Sequence, residues 1–319
     1  MKTLQIVLKL EIEKRCCFML NGHMLSESGK RGYLHTFHKF FHLKDQIQME
    51  FDYHHHDFCK IVIMIKGKVD YIVEGKSYRL RPGDILFINH SQIHRPIIDT
   101  AVEYERIIIW IDPNELRKFN SESSDLLECF MVTEKNQNCL LRLPLIQYET
   151  VKQQLLLISN EGKSGAYGKD IYTNTLVVQL LIVLNRYLLN RDLVSINHDI
   201  QYDQTIVAIM EYINHSIQDE IGIDVLAKKF FMSKYHLMRK FKLLTGYSIH
   251  HYILQKRLLF SKNLILKGFS MTEVSIRSGF TDYTSFFRAF KKEFGVSPKN
   301  YVKQNSISKE FEQQVNVGE

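Results

Sequence analysis

At 319 residues, 45% apolar and 24% charged, the chain has the composition of a soluble globular protein and the length for two domains with a core each. Its five cysteines (Cys16, Cys17, Cys59, Cys129, Cys139) form no CxxC pair, which argues against a disulfide framework and for free thiols in a reduced cytoplasm. The net charge of +7 is unevenly spread: residues 225–304 hold sixteen Lys/Arg against three acids and the remainder is net acidic, so a polyanion is the expected partner of that block alone.

Residues 1–24 carry no legible pattern; they read either as an N-terminal arm or as an extension upstream of a shorter start such as Met19 or Met24. Lys9, Glu11, Glu13 and Lys14 break any apolar core near the start, so no secretory signal is expected. From Tyr53 to Pro96 short apolar runs alternate with turn residues. Ile61 to Ile65 reads as a buried strand stopped by Lys66-Gly67-Lys68. Val69 to Val73 is the next, Glu74-Gly75-Lys76 a hairpin turn, and Tyr78-Arg79-Leu80 its return. Arg81-Pro82-Gly83-Asp84 is a second turn before the strand Ile85 to Ile88, and 102–111 is one more strand. This spacing predicts a small antiparallel barrel or sandwich. Segments 147–160 and 170–189 are long, free of Gly and Pro, and broadly apolar, as for helices. The longest apolar run, around Leu176 to Leu184, is broken by Gln179 and too short to cross a bilayer, so no membrane partner is expected.

Beyond the polar stretch 191–202 everything reads helical. Ile206, Ile209, Met210, Ile213 and Ile217 keep a 3/4 spacing, and further helices are predicted at 225–230, 234–244, 249–267, 272–278 and 283–294, with Gly246, Gly268 and Gly295 as stops. The division that follows is an N-terminal arm (1–45), a β core (46–112), a helical segment (113–192), a linker (193–202), a helical domain (203–304) and a polar tail (305–319).

Two stretches of the helical domain repeat each other. Ala227 to Ser233 matches Ser275 to Thr281; after one extra residue, Leu237, Arg239, Phe241, Gly246 and Ser248 match Phe286, Arg288, Phe290, Gly295 and Ser297. Each copy, at about 225–246 and 273–296, is a short helix, a turn and a second helix opened by an N-cap candidate, Ser233 or Thr281. That is the layout of a helix-turn-helix, whose second helix can enter a major groove. In the first copy Leu237, Phe241 and Leu244 form the inward stripe, leaving Lys234, Tyr235, Met238, Arg239 and Lys242 outward. In the second, Phe286, Phe290 and Phe294 turn inward while Tyr283, Thr284, Arg288, Lys291 and Lys292 face out. Arg side chains are the commonest readers of guanine, and hydroxyls and lysines hold phosphates. Ser233, Lys234, Lys240, Lys242, Thr281, Lys291 and Lys292 are the phosphate-positioning candidates.

These residues carry a family resemblance. Ser233-Lys234-Tyr235-His236-Leu237-Met238-Arg239-Lys240-Phe241, Gly279-Phe280-Thr281-Asp282-Tyr283 and the run from Phe286 through Ser297-Pro298 to Tyr301 resemble the AraC/XylS transcription regulators over about 100 residues. The resemblance implies that Tyr235, Met238, Arg239, Tyr283, Thr284 and Arg288 occupy base-reading positions. Phe231 departs from the family, standing where it often has Gly.

In the β-rich part, His54-x-His56 and the later His94 resemble the cupin metal motifs. A metal there needs neutral imidazoles and usually a carboxylate. Lys60 stands at the carboxylate position and Asp57 is out of register, so neither a metal nor any other cofactor is expected. The stretch from His56-Asp57-Phe58 through Arg81-Pro82-Gly83-Asp84 to His94-Arg95-Pro96 resembles the sensing cupin of AraC-type regulators. There the resemblance implies a small effector, often a sugar, with His54, His56, Lys60, Arg79 and His94 as pocket candidates; hydrogen-bonding roles at the barrel edge are the alternative for the histidines. It also implies dimerisation through 147–160 and 170–189. The expected fold is a cupin-like antiparallel β-barrel with flanking helices, followed by an all-α domain of two helix-turn-helix units joined by a linker helix. The expected function is a cytoplasmic, ligand-responsive, sequence-specific DNA-binding regulator, an activator of nearby genes. Its expected partners are double-stranded DNA, a second copy of itself and RNA polymerase. An effector-independent regulator whose cupin serves assembly, and a cupin enzyme, are the alternatives. No Ser/His/Asp set, phosphate-cradling loop or paired-carboxylate site is present, so no catalysis is expected.

Overall fold

The computed structural model describes residues 34, 36–46, 51–190 and 200–303. It divides into two compact units, the second beginning at Asp203.

The first unit is built on two antiparallel sheets. One has the order β1-β7-β2-β5-β8, from β1 (His38–Asp45), β7 (Tyr104–Ile111), β2 (Cys59–Lys66), β5 (Ile85–Ile88) and β8 (Leu140–Leu141). The other has the order β6-β3-β4-β9, from β6 (His94–Ile98), β3 (Val69–Val73), β4 (Lys76–Leu80) and β9 (Ile200–Tyr202). The apolar run of β2 is nearly continuous because both of its faces are covered. Ile61 and Ile63 enter a core shared with the helices, while Val62 and Met64 pack with Val69, Tyr71, Tyr78 and Leu86 between the sheets. The β3–β4 turn is two residues long, with Glu74 at φ 45° and Gly75 at φ 76°, the left-handed pair that matches strand twist. At the Arg81–Asp84 turn the Asp84 carboxylate accepts from the Arg81 amide (2.8 Å) and, fully buried, takes two hydrogen bonds of 2.7 Å from the Arg142 guanidinium.

Helices α1 (Pro113–Arg117), α2 (Glu128–Lys135), α3 (Leu145–Glu161) and α4 (Lys169–Leu189) complete the unit, with Leu116, Phe130, Val151, Leu155 and Leu180 closing over the first sheet. Three expectations need correction here. The arm predicted to run to residue 45 ends earlier, because His38–Asp45 pairs along its whole length with β7. The stretch read as linker through residue 202 contains β9, which adds an edge strand to β4. The apolar run in α4 belongs to a 21-residue helix that is, by length and composition alone, sufficient to cross a bilayer. Its Leu176, Val177, Leu180, Leu181, Leu184 and Leu188 are buried in the core instead. Cys59, Cys129 and Cys139 are buried free thiols, and burial pushes that of Cys59 up to about 12.

The second unit is all helical: α5 (Gln204–His215), α6 (Ile223–Lys229), α7 (Lys234–Thr245), α8 (Ile249–Leu266), α9 (Met271–Arg277) and α10 (Tyr283–Phe294). Its helices have identifiable starts. Asp203 caps α5, Ser233 caps α7, Ser248 caps α8, and Ser270 with Glu273 forms a capping box on α9. The second helix-turn-helix departs from expectation in one detail: Asp282, not Thr281, caps α10 by accepting from the Ser285 amide at 2.8 Å.

Candidate nucleic-acid interface and histidine cluster

Helices α6–α7 and α9–α10 form the two helix-turn-helix units, and α8 joins them as one 18-residue helix, roughly 27 Å long at 1.5 Å per residue. On α7 Leu237, Phe241 and Thr245 are buried, with Thr245 taking the inward place predicted for the half-buried Leu244. On α10 Phe286, Phe290 and Phe294 are buried and meet in succession, the first pair edge-to-face and the second tilted, with ring centroids 5.5 and 4.4 Å apart. Anchoring one stripe fixes the other. Tyr235, Met238 and Arg239 on α7, and Tyr283, Thr284 and Arg288 on α10, are all exposed.

The phosphate-positioning candidates divide into two groups. Ser233, Lys242, Thr281, Lys291 and Lys292 are exposed. Lys234 and Lys240 are already engaged by acids of the same unit: Lys234 pairs with Asp224, and Lys240 lies 2.6 Å from Asp203. The Lys240 ion pair helps hold the Asp203 carboxyl below its ordinary range, against the opposing effect of partial burial.

Arg257-Leu258 belongs to the stretch that resembles the AraC/XylS regulators, but sequence reasoning assigned Arg257 no role, and it is the residue that ties the unit together. Arg257 on α8 donates from Nε to the Ile217 carbonyl (3.1 Å) and from Nη2 to the Asp219 carbonyl (2.6 Å), satisfying the chain just past α5. A Cβ on Gly279, in the turn of the second unit, would come within 2.6 Å of that same Ile217 oxygen and 2.8 Å of Arg257 Nε. Within α8 Arg257 stands among other polar residues such as Gln255, Lys256, Lys262 and Asn263, so its local pattern did not set it apart.

In the first unit, His54 and His94 form an isolated antiparallel bridge, with amide-to-carbonyl bonds of 3.1 and 2.9 Å that set their side chains next to each other. Strand alternation brings His56 to the same side, and the three rings lie with centroids 4.4 to 5.1 Å apart. Lys60, in line with Val62 and Met64, projects between the sheets and donates to the Tyr71 hydroxyl at 3.0 Å. Phe58 stacks on both His56 and Trp110, with centroids 4.5 and 4.6 Å away, and those two rings lie 6.2 Å from each other. Arg79, included among the pocket candidates from sequence, is not brought here. It sits on the outer face of β4 and pairs with Asp70 through bonds of 2.9 and 3.1 Å, because an odd step along a strand reverses the side chain.

The electrostatics of the cluster are positive. Burial, then the neighbouring histidines and Lys60, holds His56 well below its ordinary 6.5. Burial, His54 and Lys60 do the same to His94, against the bond to Gln92. His94 Nδ1–H donates to the Gln92 carbonyl at 2.9 Å, so its Nε2 carries the free lone pair. That Nε2 and His56 Nδ1 are buried without a hydrogen-bond partner.

The cupin fold implies a metal at such a cluster. The three histidine ligand atoms lie within 4.8 Å of one another, but among the described residues no carboxylate joins them. The Lys60 ammonium occupies the neighbourhood instead. Three neutral imidazoles beside a fixed cation do not fit a divalent ion.

Comparison with known proteins agrees with both halves. Residues 40–166 match the model of an AraC-like ligand binding domain, and residues 226–304 match that of a helix-turn-helix domain. The HTH-type transcriptional activator RhaS of Salmonella schwarzengrund is 25% identical over 261 residues, covering 79% of this chain and 88% of that protein. Among solved structures, the C-terminal domain of the two-component response regulator yesN from Fusobacterium nucleatum is 32% identical, covers 30% of this chain and 94% of that one, and has a TM-score of 0.29. ToxT from Vibrio cholerae is 14% identical over 83% of this chain and 97% of that one, with a TM-score of 0.33.

Proposed function

The chain belongs to the AraC/XylS family of transcription regulators, and on that premise we propose that it activates nearby genes by reading DNA with α7 and α10. It is a ligand-responsive DNA-binding regulator and not an enzyme. In this reading Arg239 and Arg288 are the principal base readers, Tyr235, Met238, Tyr283 and Thr284 complete the contact, and the exposed lysines hold phosphates. The observation that carries it is the pair of repeated helices, each pinned by a buried aromatic or aliphatic stripe and each offering an exposed Arg at the equivalent place. Activation follows the Salmonella relative, an HTH-type transcriptional activator, and implies contact with RNA polymerase in the cytoplasm.

The histidine cluster is, in this reading, the polar end of an effector site. Assembly as a homodimer is supported by α3 and α4, which leave Leu145, Ile146, Leu156, Leu157, Ile171 and Tyr172 exposed although their opposite faces form the core. The same apolar surface suits the alternative of an effector-independent regulator whose cupin serves assembly.

The test is a fluorescence-anisotropy titration of the full chain on DNA upstream of its own and neighbouring genes, against scrambled DNA at one near-physiological salt. A preference of about 10³ for one segment is the expected result. Equal, steeply salt-dependent binding to both would reduce the unit to a basic surface.

A further inference from the structure

α8 is entered through the left-handed Gly246 and the Ser248 cap and left through the left-handed Gly268, so a turn separates it from each reading unit. A helix held by turns at both ends sets a separation. Rotation of one unit about its axis is left to whatever packs along its side. The first part of α8 belongs to the first unit, where Tyr252 meets Phe241 of α7 with ring centroids 5.5 Å apart. The later part belongs to the second, where Leu258, Leu264 and Ile265 join Val274, Phe286 and Phe290 in one core. Arg257 stands at the changeover.

Its side chain engages both units at once. Nε and Nη2 donate to the carbonyls of Ile217 and Asp219, at 3.1 and 2.6 Å, in the turn between α5 and α6. These oxygens lie just past the C-terminus of α5, where a positive charge is favoured and a charged donor bonds more strongly than a neutral one. The turn between α9 and α10 closes onto the same bond from the other side, since a Cβ on Gly279 would stand 2.6 Å from the Ile217 oxygen and 2.8 and 2.9 Å from guanidinium atoms. The repeat does not share this contact. Phe231, at the equivalent place in the first turn, is exposed, so only the second turn is docked.

One base-pair step is about 3.4 Å and, at about ten base pairs per turn, about 35°. A junction that lets one unit rotate about α8 therefore lets α7 and α10 meet grooves a base pair nearer or farther apart. We propose that Arg257 is the positioning residue that fixes the separation of the two DNA segments read by α7 and α10, so that this separation is part of the target the protein recognises. The proposal rests on the reading of α7 and α10 as the DNA-contacting helices.

Selection from random-sequence duplexes by the full chain supplies the probe, and the expected yield is two short motifs at one fixed separation. Fluorescence anisotropy then compares that duplex with others that have one base pair inserted or removed between the motifs, and with a duplex carrying one motif alone. For the unmodified protein the one-base-pair change should weaken binding about 30- to 100-fold, because one helix loses its contacts. Arg257→Met keeps the apolar stem and removes both donors, and its penalty for the same change should fall below about 5-fold. Its affinity for the single motif should stay within about 2-fold, while that for the double motif drops about 10-fold as preorganisation is lost. Arg257→Lys, the milder change, should show a penalty between the two, and it carries the test should Arg257→Met not fold.

A spacing penalty unchanged in the variants would overturn the proposal. So would equal losses on single- and double-motif DNA, which would make Arg257 a residue of the fold or a phosphate contact. A selected target with one motif only would overturn it while leaving DNA recognition intact. A selection that yields no motif would overturn the DNA-reading assignment itself, and the proposal with it.

Discussion

Phe231 and Gly279 hold the same position in the two helix-turn-helix repeats, and both have a left-handed backbone, φ 53° and 77°. The turn needs that conformation, which an L side chain resists by roughly 1–2 kcal/mol and glycine accepts. Only the second repeat has a further constraint, since a side chain at Gly279 would meet the Ile217 carbonyl and Arg257. Phe231 is 96% exposed, so it meets no such wall.

Phe231→Gly is therefore expected to stabilise the helical unit by about 1 kcal/mol, the relief of strain exceeding the added freedom of the unfolded chain. Gly279→Ala is expected to destabilise it by about 2–4 kcal/mol through strain and a backbone clash. Urea denaturation followed by helical circular dichroism measures both. Equal effects at the two positions would show that the Ile217 contact is irrelevant.

Arg239→Ala and Arg288→Ala are each expected to cost about 1–3 kcal/mol in specific binding and to relax one base position. Competition binding on a library of single-base variants of the site reads this directly. Loss of the same size on random DNA would make both residues phosphate contacts.

Lys240 gives its charge to Asp203 in the free protein, at 2.6 Å. Asp203→Asn keeps an N-cap for α5 while freeing Lys240. The expected outcome is tighter DNA binding with a steeper salt dependence, the logarithmic slope growing by up to about one. An unchanged slope would mean that Lys240 does not reach a phosphate.

Stability should fall as the medium is acidified below pH 6.5. His56 and His94 are held below their ordinary 6.5, so between that value and their folded values the unfolded chain binds more protons. Their contribution is therefore complete above 6.5 and is lost as pH drops through that window. Urea midpoints between pH 7.5 and 5 should show the decline, and His94→Gln should flatten it. A decline unaffected by His94→Gln would assign it to other groups.

Asp84→Ala should destabilise the sheet unit by about 3 kcal/mol, because it strands the Arg142 guanidinium and the Arg81 amide. Thermal unfolding followed by Trp110 fluorescence reports on this unit, since that residue is the only tryptophan in the chain. A shift of less than a degree would show the pair to be replaceable by water.

The boundaries of the elements show where local reading suffices. Tyr283–Phe294, Val69–Val73 and Ile85–Ile88 stand where periodicity and turn residues put them, because each buries a face set by its own repeat of 3.6 or 2. β1, β8 and β9 were not legible, since a short or polar edge strand exists only through its partner.

What the sequence by itself determined was the two-part plan, the repeated helix pairs, the exposed Arg on each second helix and the presence of His54, His56, Lys60 and His94 in one β-rich segment. These depend on local periodicity, capping and charge, which are written in neighbouring residues. Only the tertiary structure decided which polar groups meet. It turned Arg79 out to Asp70, drew Lys60 across to Tyr71, occupied Lys240 with Asp203 and set Gly279 against Ile217 and Arg257. Such pairings are settled by strand register and helix packing over long separations, where a one-residue step reverses a side chain and no local pattern records the choice.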